Sequence, residues 1–102
     1  MEPPIDIAHL DEATFGDRAL RSEVLGLFEA QAITLMQTIQ DSSGKAQREA
    51  AHALKGAARG IGAFAVADEA EKVEQGESGA VVPLAARVAE ARAAAQALIS
   101  AG

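Results

Sequence analysis

Between Arg18 and Gln40 the apolar residues Leu20, Val24, Leu27, Phe28, Leu35, Met36 and Ile39 recur three or four positions apart. That is the helical period, sustained far longer than any strand would be. A helix of this length in a chain of 102 residues has to bury its stripe against other elements, and composition says which kind. Hydrophobic residues make up 49%, but many are alanines, with no Trp or Tyr and only three Phe. Small side chains suit closely packed helices, whereas a sheet favours β-branched and aromatic ones. The length serves one core and is too short for two.

The rest of the chain divides in the same way. Met1 to Pro4 is an extended lead-in, and Pro4 stands near a helix start. Ile5, Ala8, His9 and Leu10 sit on helical spacing, predicting a short capping helix over Ile5 to Ala13. His9, alone between apolar and acidic neighbours, is read as structural or solvent-facing. Thr14-Phe15-Gly16-Asp17 breaks the chain, with Asp17 as the N-cap of the long helix. Asp41-Ser42-Ser43-Gly44 is a turn, with Ser43 a candidate cap, and a second long helix runs from Lys45 to Gly60 or Ile61. Gly60 and Gly62 end it. A third helix turns Phe64, Ala67, Ala70 and Val73 inward, with Ala65 and Val66 as further candidates, and stops near Gly76-Glu77-Ser78-Gly79. Pro83 lies in the first turn of the last helix, whose buried stripe is Leu84, Val88, Ala91, Ala95 and Leu98. No strand candidate exceeds Ala80-Val81-Val82. The expected fold is all-α: an up-down antiparallel four-helix bundle with a short N-terminal capping helix, one domain over residues 1–102.

Several functions are disfavoured at once. With no cysteine there is no disulfide, thiolate metal site or thiol nucleophile. Met1-Glu2-Pro3-Pro4 lacks the basic start and apolar run of a signal peptide, and no apolar segment approaches the ~18–20 residues that span a bilayer. A soluble, cytoplasmic domain is expected. The net charge of −6 argues against nucleic acid as a partner. Yet Lys45, Arg48, Lys55 and Arg59 fall close together against a single acid, Glu49, while Asp68, Glu69, Glu71, Glu74 and Glu77 gather elsewhere. A local basic face on an acidic protein suits an acidic partner or a phosphoryl group, although charge alone favours an ordinary solvated surface.

That basic face belongs to the helix from Arg48 to Ala63. At about 100° per residue, Ala50, Ala57 and Ile61 fall within roughly 60° of Leu54, forming one apolar stripe. His52 lies on the opposite face, among Arg48, Lys55, Gly56, Arg59 and Ala63. Lys55 on this reading is an exposed charge of little weight in folding. Glycine inside a helix costs about 1 kcal/mol relative to alanine. At Gly56, one turn beyond His52, the missing side chain would let another surface approach the imidazole; a chance glycine is the plainer alternative. An imidazole is a good nucleophile near neutral pH and can hold a phosphoryl group as a labile phosphoramidate. An exposed helix is a poor site for acid–base chemistry on a small substrate, which needs a water-excluding pocket.

The run His52-Ala53-Leu54-Lys55-Gly56-Ala57-Ala58, followed by Gly62-Ala63, resembles the signature of histidine-containing phosphotransfer (HPt) domains of bacterial phosphorelays. The resemblance covers nearly the whole chain and implies a four-helix bundle with the histidine on the second bundle helix. It implies that His52 shuttles a phosphoryl group between aspartates of receiver domains on hybrid histidine kinases and response regulators. It further implies that Lys55 assists with phosphoryl charge and that Gly56 admits the partner. Arg48, Arg59 and Ala63 are expected to meet the partner too. Glu74, 22 residues after the histidine, corresponds to a family position near the imidazole, although a solvated acidic face with Glu71 and Glu77 explains it as well. No cofactor is expected on this chain; the Mg²⁺ of such a reaction belongs to the receiver. There is no Gly-rich phosphate loop and no room for a kinase fold, so a phosphoryl carrier without ATP-dependent kinase activity is expected. One histidine in the patch, with no H-x-x-x-H or H-x-x-E-H, disfavours a metal site. A monomer is expected, either standing alone or as a domain of a larger hybrid kinase. The competing reading is a non-catalytic helical adaptor that docks an acidic partner through the basic face around His52.

Overall fold

The computed structural model describes residues 2–101, so Met1 of the predicted lead-in lies outside the described residues. The described residues form five helices and no strand: α1 (Ile7–Ala13), α2 (Arg18–Asp41), α3 (Gly44–Ile61), α4 (Phe64–Glu74) and α5 (Val81–Ala101). The fold is all-α. Helix α3 packs on α2 and α4, α5 packs on the same two, and α1 lies on α3. The four longer helices thus close a ring around one core.

Local chemistry sets the boundaries. Asp17 caps α2 as its sequence position predicts, its carboxylate accepting from the Leu20 N–H at 3.0 Å. Asp6 does the same for α1 through the His9 N–H at 3.1 Å, so α1 starts two residues later than the spacing indicated. Ile5 is buried ahead of it. Ser43 precedes α3, but its hydroxyl makes no cap bond. The α2–α3 turn is held instead by Gln47, whose Nε2 donates to the carbonyls of Ile39 at 2.8 Å and Ser42 at 3.0 Å. Gly60 lies inside α3, and Gly62 alone ends it, in the left-handed conformation at φ 82°. Ala80 and Val81 open α5 rather than a strand.

The α3–α4 junction is pinned from outside. The Asp6 N–H donates to the Gly62 carbonyl at 2.9 Å. A Cβ on Gly62 would stand 2.9 Å from the Asp6 carbonyl oxygen. This glycine is therefore required twice, by its φ and by the close approach of the N-terminal segment.

The core differs from the predicted stripes in a few places. Leu27 is 57% exposed and Phe64 36% exposed, while Leu25, Ala32, Ala51 and Ala58 are fully buried. Each long helix touches two neighbours in the ring, so its buried face is wider than a single stripe and includes alanines that carry little periodic signal. Phe64, at the start of α4, packs edge-on against His9 with ring centroids 5.1 Å apart. His9 is thus a half-buried packing partner, as its sequence setting implied.

Candidate functional site

His52 sits nine residues before the end of α3, and Glu74 ten residues after the start of α4. With about 1.5 Å of rise per residue, a tight turn at Gly62 brings the two level. Glu74 Oε2 lies 2.6 Å from His52 Nδ1, and Glu74 Oε1 accepts from Lys55 Nζ, also at 2.6 Å. One carboxylate therefore grips both the histidine and the lysine one turn beyond it.

The His52 side chain is 68% exposed, so the ring stands clear of the core. Glu74 is ionised: its carboxyl is held below the ordinary carboxylate range, chiefly by the hydrogen bond from Lys55. The hydrogen bond and charge of His52 add to this, against partial desolvation. A carboxylate can only accept, so Nδ1 carries the ring proton. Nε2 is left with the lone pair, and it has no hydrogen-bond partner among the described residues. An imidazole oriented in this way presents one nucleophilic nitrogen to solvent.

Lys55 departs from expectation. Its side chain is only 14% exposed, because its stem lies in the α3–α4 interface while the ammonium reaches Glu74. It is a buttress of the site as well as a charge. Arg59 stands 4.0 Å from Glu71, and Lys45 stands 3.7 Å from Glu49. Arg48 is exposed and has no carboxylate partner among the described residues. Ala63 is a correction. It is fully buried as the residue leading into α4, since α3 ends at Ile61 and the helical wheel does not extend through Gly62.

His52 lines one concavity, and a second opens between α2 and α3. On the α4 side a dent of about 370 Å³ is lined by Lys45, Arg48, Glu49, His52 and Glu74. On the α2 side a mostly apolar groove of about 700 Å³ is lined by Ala30, Thr34 and Leu35 of α2 and by Ala53, Gly56 and Ala57 of α3. A Cβ built on Gly56 meets nothing within 4 Å, so no neighbour inside the molecule demands a glycine there. Sequence spacing placed His52, Gly56, Arg48 and Arg59 on one exposed face, which the structure keeps. The grip of Glu74 on Nδ1 crosses between helices, and periodicity within one helix carries no signal for it.

The Hpt domain profile matches residues 23–101, more than three quarters of the chain and all of the site just described. The chain belongs to the Hpt domain family. The crystal structure of the histidine phosphotransferase ShpA from Caulobacter crescentus superposes on this Hpt domain with a TM-score of 0.81 at 31% identity. The match covers 92% of this chain and 88% of that one. No curated protein sequence matches the chain. Among the described residues of this Hpt domain, no helix is long and apolar enough to cross a membrane.

Proposed function

We propose that this Hpt domain is a phosphorelay carrier in which His52 Nε2 accepts a phosphoryl group from the aspartate of one receiver domain and yields it to another. The observation that carries the reading is the exposed imidazole with Nδ1 held by ionised Glu74 and Nε2 open. In the forward step the Nε2 lone pair attacks phosphorus, an Nε2–P bond forms, and the P–O bond to the donor aspartate breaks. The aspartate leaves as a carboxylate. The ring keeps its Nδ1 proton and becomes cationic, a charge that Glu74 stabilises at 2.6 Å. The same positive ring makes nitrogen a good leaving group for the onward transfer, so the step runs both ways.

The receiver would supply its own Mg²⁺ and in-line geometry, since phosphoryl transfer rests mainly on positioning and charge neutralisation. This chain supplies the nucleophile, the Glu74–Lys55 support and a landing surface. That surface is the apolar groove on the α2 side, with bare Gly56 on its wall and Arg59 exposed nearby. We read the four longer helices as an up-down antiparallel bundle, because the connections between them are short, with the carrier a cytoplasmic monomer.

Incubation with a phosphorylated receiver tests the reading. An acid-labile, base-stable phosphoryl group should appear on the protein, and His52→Gln should abolish it. Receiver binding with no label on His52 would instead identify a non-catalytic adaptor.

A further inference from the structure

The basic residues around His52 are not equivalent. Three of the four cations on α3 are already committed: Lys55 to Glu74 at 2.6 Å, Lys45 to Glu49 at 3.7 Å, and Arg59 to Glu71 at 4.0 Å. Lys55 is the most firmly held, with its side chain largely covered. Arg48 alone among these four has no acidic partner among the described residues, and it is exposed.

Arg48 lines the same dent as His52 and Glu74. Helical side chains lean toward the N-terminus and cover the turn before their own Cα. The ring of His52 is therefore directed over the turn that carries Arg48, four residues earlier, and away from Gly56 and Arg59. The dent agrees: its α3 residues are His52 and the preceding Lys45, Arg48 and Glu49, and none of the residues that follow His52. The two carboxylates facing this dent are both occupied, Glu49 by Lys45 and Glu74 by Lys55 and the imidazole.

Building on the phosphocarrier reading, we infer that the dent beside His52 is the seat of the transferred phosphoryl group, and that Arg48 is its principal cationic ligand. Lys55 acts as a positioning residue that holds Glu74 against Nδ1. A guanidinium presents several donors in a fixed fork suited to phosphoryl oxygens.

Potassium phosphoramidate tests this without a receiver. The Nε2 lone pair attacks phosphorus, the P–N bond of the donor breaks, and ammonia leaves, so only this chain's own residues can assist. With the full chain, Arg48→Ala should slow formation of phospho-His52 roughly fivefold, as expected for loss of one exposed charge-assisted contact. It should also raise the midpoint of the phosphoryl titration seen by ³¹P NMR, because a nearby cation favours the dianion. Lys45, Glu49, Lys55 and Glu74 are the other charged groups near the phosphoryl, and all stay in place in this variant. Arg48→Lys should restore much of the titration shift and less of the rate. Arg18→Ala, which removes an exposed cation at the far start of α2, should change neither.

Arg48→Ala with wild-type rate and titration, alongside Lys55→Ala that moves the titration, would overturn the assignment and give the phosphoryl group to Lys55. No label on His52 from phosphoramidate or from a phosphorylated receiver would remove the carrier reading, and this inference with it. Label with an unmoved titration in every variant would sink the seat alone.

Discussion

Helix α3 carries two glycines of opposite origin, and the contrast separates what the fold requires from what the surface offers. At the end of the helix, Gly62 has φ 82° and a phantom Cβ 2.9 Å from the Asp6 carbonyl oxygen. Its identity is dictated inside the molecule. Six residues earlier, Gly56 is ordinary helix, and a Cβ there would enter open space. Nothing internal asks for it, yet glycine in a helix interior is unfavourable by about 1 kcal/mol relative to alanine. Gly26 and Gly60 are also open. Gly56 differs from them in lining the α2-side groove, one turn beyond His52. One glycine answers to geometry of the chain's own making; the other is room left for something else.

The largest effect should come from filling that room. Gly56→Glu is expected to slow transfer from a phosphorylated receiver at least about 100-fold, or roughly 2.8 kcal/mol at 1.4 kcal/mol per tenfold, by steric and charge conflict. Circular dichroism should show unchanged helicity. Phosphoramidate labelling of His52 should stay near wild type, because that donor does not need the groove. Transfer at the wild-type rate would break the contrast, making Gly56 an incidental glycine.

Next comes the junction. Gly62→Ala should destabilise by about 2 kcal/mol, combining the left-handed penalty for a residue with a Cβ and the contact with Asp6. For a domain this size that is a fall of roughly 10 °C in Tm. Little change in Tm would mean that the N-terminal segment yields easily and that the junction does not depend on glycine.

The polar side of α3 gives a smaller, pH-dependent effect. Glu74 has its carboxyl lowered mainly by Lys55. A carboxylate depressed in the folded state stabilises above its unfolded titration value, and that contribution is lost as pH falls through the folded one. Wild type should therefore unfold at higher urea than Glu74→Gln at neutral pH, and the gap should close on acidification below the ordinary carboxylate range. A gap independent of pH would show that Glu74 contributes packing and not charge. Lys55→Ala should lower the melting temperature as well as transfer, against the sequence expectation of a freely exposed lysine. Its removal leaves a partly covered carboxylate with one partner fewer.

Much of this was legible in the residues. Periodicity located the helices to within a few positions, and Asp17, Pro83 and Gly62 act as their local chemistry requires. The wheel drawn on Leu54 correctly set His52 opposite the core. It failed where helix geometry stops or where neighbours decide. Ala63 lies past the end of α3 and is buried, and Lys55 is largely covered, because a single helix does not show which flank a neighbour will cover. Leu27 and Leu25 differ by two positions on α2, and only the ring of neighbouring helices determines which is inside. Alanine was the weakest guide: Ala32, Ala51 and Ala58 are fully buried, yet an alanine-rich chain puts the same residue on every face. The contact between Glu74 and His52 spans two helices, so it became visible in sequence only through resemblance to a family.

The smallest prediction is the most discriminating for Gly56. Gly56→Ala adds one methyl group to an open helical site, so it should stabilise the fold by about 0.5–1 kcal/mol, through helix propensity and a less flexible unfolded chain. A rise of a few degrees in Tm measures it. Stability gained while transfer from the receiver slows by even a few-fold would show that the bare backbone serves the visiting surface at the expense of the fold. A methyl group tolerated in both assays would leave Glu at this position acting through charge and bulk alone. Close approach of backbone to partner would then give way to simple exclusion of large side chains.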